Sequence, residues 1–245
     1  LTSTRAYAAN PKIRVGFVTP TTGPLAGFAE ADDYIIDGLK AKFAGGVMNN
    51  GKAYDVEIIK KDSQSNPNRA AEVAAELILT DEVDIITAAA TPDTTNPVAD
   101  QAEINEIPCI TTDAPWQPYF FGRGGNPAEG FAYTYHFFWG LEDVIANFTG
   151  LWDGSGVANK VGGPLPNDAD GHACGDAKLG LPPAPAAQGF PLTAPGRYQP
   201  PSDDFSNYNR AFKDAGREGV TGDTIPPDFG TFCAPAAQPG PSPKT

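Results

Sequence analysis

Hydroxyl groups and carboxylates gather at four places where a strand-like run of the sequence ends. These places are the segments 19–23, 62–65, 89–95 and 112–116. Three of them contain a carboxylate, Asp62, Asp93 or Asp113. Because ligands of open parallel sheets bind beyond the carboxyl ends of the strands, these side chains are expected to surround one crevice. Hydroxyls, carboxylates and the free N–H groups of helix N-termini suit a small polar ligand.

The same residues form no familiar catalytic motif. The sequence contains no G-x-S-x-G, H-E-x-x-H or Walker motif, and no G-x-G-x-x-G after a strand. A Ser/His/Asp triad can be written with His136 or His172, but no spacing selects one. Asp113 with a neighbouring hydroxyl is the best basis for an α/β hydrolase, which is the less favoured alternative. We therefore expect a binding protein without catalytic residues rather than an enzyme.

The cysteines and histidines do not have the spacing of a metal site. Cys109, Cys174 and Cys233 are far apart and no C-x-x-C pair occurs, whereas structural zinc needs about four closely spaced ligands. Cys109 lies in the apolar run 107–110 and is expected to be a buried thiol. The sequence leaves a Cys174–Cys233 disulfide open. The segment 167–171 resembles the start of a calcium loop without its closing glutamate. We expect no metal and no cofactor.

The overall charge excludes one large class of partner. The 245 residues include 30 acidic and 17 basic side chains, which gives a net charge of −13. Proteins that bind DNA or RNA need clustered Lys and Arg, so nucleic acid is excluded. No run approaches the roughly 18–20 apolar residues of a membrane span. Fifteen of the 25 prolines lie in residues 161–245, where the composition approaches that of loops.

The first 120 residues alternate strand-like and helix-like patterns. Strands are predicted at 13–18, 54–59, 84–90 and 107–112. Apolar residues at spacings of three and four predict a helix from Phe28. Asn66-Pro67 and Asn96-Pro97, each a cap residue followed by proline, predict the starts of two more helices. This rhythm predicts right-handed βαβ units and a parallel sheet.

The segment 130–152 is rich in aromatic residues and predicts one long amphipathic helix. An aromatic stripe at helical spacing is typical of a core, so we expect these rings to be buried. His136, which lies among them, is expected to be packed and hydrogen-bonded rather than to act as a base.

Several segments of the chain carry a family resemblance. In chain order they read IRVGFVTPTTGPLA (13–26), DSQSNP (62–67), AAEVAAELI (70–78), AAATP (88–92), IPCITT (107–112) and PNDADG (166–171). The set resembles the type I periplasmic binding proteins, and specifically the branched-chain amino-acid type of ABC-transporter substrate-binding protein. Placed in the family's order, these segments span most of residues 13–232.

The resemblance implies an α/β fold of two Rossmann-like lobes with parallel sheets that close on a small molecule. It implies a binding protein for an amino acid or a small carboxylate, including an aromatic one, which hands its ligand to the membrane permease of an ABC importer. The implied location is periplasmic or extracellular. A ligand-sensing receptor or regulator lobe remains an alternative, which a signalling or membrane segment in the same reading frame would favour.

The family pattern also predicts the organisation of the chain. Residues 1–10 are expected to be a tail or the remnant of an export signal, since Ala6-Tyr7-Ala8 fits a cleavage site. Residues 11–120 are expected to form the N-terminal lobe, 121–232 a partial second lobe, and 233–245 a Pro-rich tail. Because relatives run longer, the second lobe is expected to be incomplete, as in a fragment or a decayed gene product.

The resemblance finally implies a set of ligand contacts. Carried across by position, they are Phe28, Ala90, Thr91, Asp113 and Trp116 in the first lobe, with Asp170 and Pro227 in the second. For Phe28 a place in a helix core is equally compatible with the sequence. Thr91 and Asp113 are favoured as contacts, because they follow parallel strands directly.

Overall fold

The first part of the chain is built on a six-stranded sheet. A computed structural model describes residues 10–156, 161–187 and 189–234, so almost all of both predicted tails lies outside the described residues. The strands are β1 (Lys12–Thr19), β2 (Val47–Asn49), β3 (Lys52–Asp62), β4 (Ile85–Ala89), β5 (Cys109–Thr112) and β6 (Thr134–His136). Their spatial order is β2-β3-β1-β4-β5-β6, and only the β2–β3 pair is antiparallel. The predicted parallel sheet is confirmed.

The antiparallel strand β2 was missed, although its turn is visible in the sequence. Asn50 and Gly51 connect β2 to β3 with φ angles of 49° and 78°. An Asn-Gly pair with two positive φ angles is typical of a tight hairpin turn between antiparallel strands.

Four helices accompany the first sheet. They are α1 (Asp32–Lys42), α2 (Pro67–Leu79), α3 (Pro92–Ile104) and α4 (Trp116–Gly122), and a 3₁₀ turn spans Ala26–Ala29. The predicted cap of α2 is confirmed, since the Asn66 side chain accepts hydrogen bonds from the N–H groups of Asn68 and Arg69. The predicted start of α3 is wrong: the helix begins at Pro92 and contains Pro97. Pro97 is the sixth residue of α3, where it cannot donate to the carbonyl oxygen of Asp93, and the helix continues past it to Ile104.

The core of the first part lies between the sheet and helices α2 and α3. Its buried members are Val18, Ala70, Val73, Ala74, Leu77, Val83, Ile86, Ala88, Val98, Ala99, Ala102, Cys109 and Tyr119. The buried Cys109 is confirmed, and burial raises the pKa of its thiol to about 12. A thiol with so high a pKa stays protonated and packs as an apolar side chain.

The prediction of one helix over 130–152 is wrong in its first half. Residues 134–136 form β6, which pairs in parallel with β5, and the helix α5 spans only Leu141–Ser155. The rings of Tyr135, Phe137 and Trp139 are exposed rather than buried. His136 behaves as expected: its Nδ1 contacts the Thr111 hydroxyl at 2.7 Å, and its Nε2 contacts the Ala114 carbonyl oxygen at 2.6 Å.

One carboxylate of α3 holds β6 in the sheet. Glu103 accepts hydrogen bonds from the backbone N–H groups of Ala132 and Tyr133 at 2.7 and 3.1 Å, and from the Thr134 hydroxyl at 2.9 Å. Burial acts to raise the pKa of Glu103, but these hydrogen bonds outweigh it, and the pKa lies below its ordinary value. The ionised form is therefore the one that fastens β6 to α3.

Glu103→Gln is expected to lower the free energy of unfolding by about 1–2 kcal/mol at pH 7, because charge-assisted hydrogen bonds are replaced by neutral ones. A carboxyl group whose pKa is depressed by folding stabilises above its unfolded pKa of about 4.3, and the stabilisation is lost as the pH falls through the folded pKa. The difference between the two proteins should therefore shrink toward pH 3 in urea unfolding series. Glu129→Gln, an exposed change nearby, is the control, and an undiminished difference at pH 3 would contradict this assignment.

The second part of the chain is made of short elements. After α5 come β7 (Val161–Gly162), β8 (Leu165–Pro166), α6 (Ala169–Cys174), α7 (Pro183–Ala187), β9 (Leu192–Thr193), β10 (Arg197–Tyr198), α8 (Ser206–Asp214), β11 (Gly219–Val220) and α9 (Pro226–Cys233). The strands pair in parallel in two small sheets, β11-β7-β9 and β10-β8. Pro164 and Pro166 lack the N–H groups that longer strands would need.

Two further features concern the described residues only. Cys174 and Cys233 are both free thiols, so the disulfide that the sequence left open is not formed. Among the helices of residues 10–156, 161–187 and 189–234, none combines the length and apolarity needed to cross a membrane.

Since β6 belongs to the first sheet, we propose that the first lobe extends to His136, beyond the expected boundary at residue 120.

Candidate ligand-binding cleft

A cavity of about 280 Å³ lies where the carboxyl ends of the first sheet meet the second part of the chain. We call it the interlobe cavity. Its lining from the first part consists of Phe28, Thr91, Asp113 and Pro115. From the second it consists of Phe138, Trp139, Leu141, Val144, Phe148, Pro166, Asp168, Asp170, Cys174, Leu181, Gly222, Asp223, Thr224 and Ile225. Its volume is close to the lower end of the range typical of small-molecule sites.

The structure brings four of the seven sequence-predicted contacts together around this cavity and leaves three outside it. Phe28, Thr91, Asp113 and Asp170 line it. Ala90 is fully buried behind Thr91. Trp116 points its ring nitrogen at Glu142, with Nε1 donating to Oε1 at 2.9 Å. Pro227 is exposed on α9, two residues after the lining residue Ile225.

The backbone at two strand ends is held in an uncommon conformation. Ala90 follows β4 with a φ of 111°, and Asp113 follows β5 with a φ of 74°. Positive φ is costly for side chains other than glycine, and residues of this kind cluster at functional sites. These two turns place Thr91 and Asp113 at the cavity wall, where Thr91 also precedes the first residue of α3.

Four carboxylates face the cavity: Asp113, Asp168, Asp170 and Asp223. Burial raises the pKa of each, and for Asp170 the neighbouring carboxylates Asp223, Asp168 and Asp93 raise it further, to well above its ordinary value. The pKa of Asp223 reaches about 7, again because of burial first and the charge of Asp168 second. These carboxyl groups therefore lie in an environment that disfavours their ionised form.

A hydrogen bond connects the first and second parts of the chain directly beside the cavity. Asp93 in the first turn of α3 accepts a hydrogen bond from the backbone N–H of Ala169, the first residue of α6, at 3.2 Å. Asp168 caps the same helix by accepting from the N–H of Gly171 at 2.8 Å. Carboxylates are favourable at helix N-termini because of the partial positive charge there. The start of α6 is thus occupied by two carboxylates of the chain itself.

Gly171 allows this arrangement. A Cβ at this position would overlap the carbonyl group of Pro166. Only glycine lets the start of α6 approach the end of β8 so closely. The close approach keeps Asp168 and Asp170 at the cavity rather than turned toward solvent.

Part of the cavity lining is apolar. Phe138 and Trp139 lie with their ring centroids 4.3 Å apart, and Val144 and Phe148 of α5 continue the surface. Residues 130–152 were interpreted as core, so this part of the lining was missed. Had residues 134–136 been predicted as a strand, the residues after them would have been expected at the binding edge of the sheet.

His136 cannot serve as a general base in this arrangement. Both ring nitrogens are already in hydrogen bonds, to Thr111 and to Ala114. Burial lowers the pKa of the ring, and its face stacks on Tyr119 with centroids 4.6 Å apart. The histidine therefore holds β5, β6 and α4 together.

Two other cavities adjoin the lobes. One of about 280 Å³ lies between Ser65, Asp93, Asn167 and Gln199 and shares Thr91, Asp168 and Ile225 with the interlobe cavity. The other, of about 500 Å³, is larger, but it lies mainly along the sides of α4 and α6 rather than at strand ends. We place the candidate site in the interlobe cavity, because buried polar groups converge there.

Among the described residues, no set of three His, Cys, Asp or Glu is arranged to hold a metal ion.

Comparisons with known proteins agree on one family. The model of the periplasmic binding protein family matches residues 12–245. A periplasmic binding protein from Burkholderia mallei has a similar structure, with a TM-score of 0.74 at 18% identity over 92% of this chain and 56% of that one. A solute-binding protein of an ABC transporter from R. palustris, in complex with 4-hydroxybenzoate, gives 0.73 at 20% identity, over 90% and 56%.

A leucine-binding protein from Thermotoga maritima is also similar, with a TM-score of 0.62 at 16% identity over 86% of this chain and 55% of that one. No curated protein matches the sequence. At these identities the structural likeness establishes the α/β fold of the type I periplasmic binding proteins. The chain spans a little more than half the length of the solved structures that it matches.

Proposed function

The chain belongs to the periplasmic binding protein family, and we propose that it is the ligand-binding part of an ABC importer's substrate-binding protein. Its ligand is an amino acid or a small carboxylate, aromatic acids included. The observation that carries the proposal is the interlobe cavity, in which strand ends of the first sheet and elements of the second part enclose one small volume. Sites of this kind bind small molecules by closing two lobes around them.

The makeup of the cavity supports a small amphipathic ligand. The lining combines carboxyl groups and Thr91 with the aromatic rings of Phe138, Trp139 and Phe148. The similar structures include proteins in complex with 4-hydroxybenzoate, 3,4-dihydroxybenzoic acid and benzoate. A ligand with a polar head and an apolar ring or branched chain fits this lining.

The same family membership supports the partner and the location. A substrate-binding protein of an importer works outside the cytoplasm and presents its ligand to a membrane permease. We propose this location and this partner for the chain. We propose no catalytic step, because His136 is held by its neighbours on both nitrogens.

The proposal is tested by thermal unfolding of the chain with leucine, phenylalanine, benzoate and 4-hydroxybenzoate. A ligand at 100 times its Kd is expected to add about 2.7 kcal/mol to the free energy of unfolding. Val144→Trp, which fills the cavity from α5, should abolish the effect, while Ala146→Trp on the exposed side of the same helix should preserve it. If no compound of these classes stabilises the chain, or if Val144→Trp binds as the parent does, the proposal is wrong.

A further inference from the structure

Apart from the thiol of Cys174, the ionisable side chains that line the interlobe cavity are all carboxyl groups. Asp113, Asp168, Asp170 and Asp223 face it, and no Lys or Arg belongs to its described lining. A ligand that carried only a carboxylate would therefore bring a negative charge next to four carboxyl groups. A ligand carboxylate would oppose the ionisation of these groups still further and would meet no Lys or Arg in the lining, whereas a cation would favour their ionised form.

Two of these carboxyl groups contain oxygen atoms that are ready to accept hydrogen bonds. Asp170 is 8% exposed, and its Oδ1 is buried without a hydrogen-bond partner. Asp223 has an unpartnered buried oxygen as well, Oδ2, although its carboxyl group also interacts with the Cys174 thiol. Because buried polar atoms in folded proteins are nearly always paired, such atoms on a cavity wall point to a donor that a ligand supplies. An ammonium group offers three N–H donors and a positive charge.

One anion-binding position beside the cavity is already taken. It is the N-terminus of α6, which follows the lining residue Asp168, and helix N-termini bind anions. Here the N–H of Ala169 donates to Asp93 and that of Gly171 donates to Asp168. The chain's own carboxylates therefore fill the anion position and leave the cavity short of positive charge.

We infer that the interlobe cavity selects a ligand by a cationic ammonium group held between Asp170 and Asp223. Within the ligand classes of the proposed function, the cavity favours compounds with a primary amine on an apolar body over acids that lack an amine, and the amine rather than the carboxylate is the group required. The body lies against Phe138, Trp139 and Phe148. This inference rests on the proposed function, since it names the ligand class of the same site.

Because Asp170 and Asp223 can bind protons, the affinity for an amine is expected to depend on pH. Burial raises the pKa of both, so near neutral pH the pair retains a proton that an arriving ammonium group must displace. The groups that act on the pair are Asp93 on α3 and Asp168 and Cys174 at α6, with Tyr198 of β10 near Asp223, whereas His172 and Arg197 act on Asp168. Displacement of one proton makes amine binding tighten as the pH rises from 6 to 8, by up to about tenfold per pH unit.

The test compares three compounds that share one aromatic body: 2-phenylethylamine, phenylalanine and 3-phenylpropionate. Each is titrated into the chain by calorimetry at pH 6, 7 and 8. The amine and the amino acid are expected to bind, more tightly at higher pH, whereas the acid is expected to bind at least tenfold more weakly than the amine. Asp170→Asn and Asp223→Asn should each weaken amine binding at least tenfold, and Asp37→Asn, exposed on α1, should not.

The outcomes separate this inference from the proposed function. Binding of the acid with an affinity equal to or above that of the amine overturns the inference and leaves the proposed function standing. Binding of phenylalanine without the amine also overturns it, because a carboxylate is then required. Unchanged amine affinity in both Asn variants, with folding verified by circular dichroism, overturns the assignment to Asp170 and Asp223. No binding of any compound, with the first panel also negative, overturns both.

Discussion

Leu77→Ala is expected to lower the free energy of unfolding by about 3–5 kcal/mol, because it empties the centre of the first core. Leu77 is fully buried on α2. Its side chain fills the gap above Gly16 of β1, where an added Cβ would lie only 2.9 Å from the Leu77 Cδ1. Its helix neighbours Ala70 and Ala74 are too small to close the space, so the cavity would persist.

The measurement is urea unfolding followed by circular dichroism, with Leu79→Ala as the control. Leu79 lies on the same helix, yet it is 71% exposed, and its truncation should change the free energy of unfolding by no more than about 0.5 kcal/mol. Equal losses for the two variants would mean that α2 does not face the sheet as described. A loss of unfolding free energy for Leu77→Ala but not for Leu79→Ala confirms that α2 packs its buried face against the sheet whose strand ends form the site.

The first sheet was predictable because its signals are local. The strand β1 is a run of β-branched residues, and the cap at Asn66 precedes a proline, so each element is marked by its own few residues. The resemblance then supplied the order of the elements. Thr91 and Asp113 could be placed at the cavity for the same reason, since each directly follows a parallel strand.

The segment 130–152 could not be predicted from its pattern. Its aromatic residues fit helical spacing, but Thr134 is fastened by Glu103 from α3, which is 31 positions away in sequence. That tertiary contact stabilises a strand at this segment, and it outweighs the helical pattern of the local sequence. The aromatic wall of the cavity was missed as a direct consequence.

In the second half of the site, Asp170 was predicted and lines the cavity, whereas Asp223 was missed for a different reason. Asp223 lies in a stretch without regular periodicity, after the two-residue strand β11. Short strands carry too few residues for an alternating pattern, so their ends cannot be located in the sequence. Asp223 is a candidate site residue because of its burial and the charges around it. Both exist only in the folded chain.

The two halves of the cavity also differ in what supports them. The first-lobe wall rests on a six-stranded sheet and one continuous core. The second-lobe wall rests on smaller clusters, one of which consists of Trp152, Val161 and Phe190 with Phe148 and Leu192 packed against it. Since Phe148 lines the cavity and also packs in this cluster, the cluster couples the stability of the second lobe to the shape of the site.

Trp152→Ala is expected to cost about 3–5 kcal/mol of the second lobe's free energy of unfolding, because a fully buried ring is removed. The Trp152 ring stacks on Phe148 with centroids 5.8 Å apart and contacts Phe190 at 5.7 Å. Without it, Phe148 loses the surface that fixes its position at the cavity wall. Ligand affinity should therefore fall together with stability.

Leu151→Ala is the matched control, since Leu151 is the preceding residue of α5 and is 57% exposed. Its effect on unfolding should stay within about 0.5 kcal/mol, and its effect on binding should be absent. Phe229→Ala, also exposed, controls for the loss of an aromatic ring. Unfolding by urea and titration with the ligand that binds the parent chain measure the two effects. If Trp152→Ala lowers stability but leaves the affinity unchanged, Phe148 is held by other neighbours and the coupling between cluster and cavity is refuted.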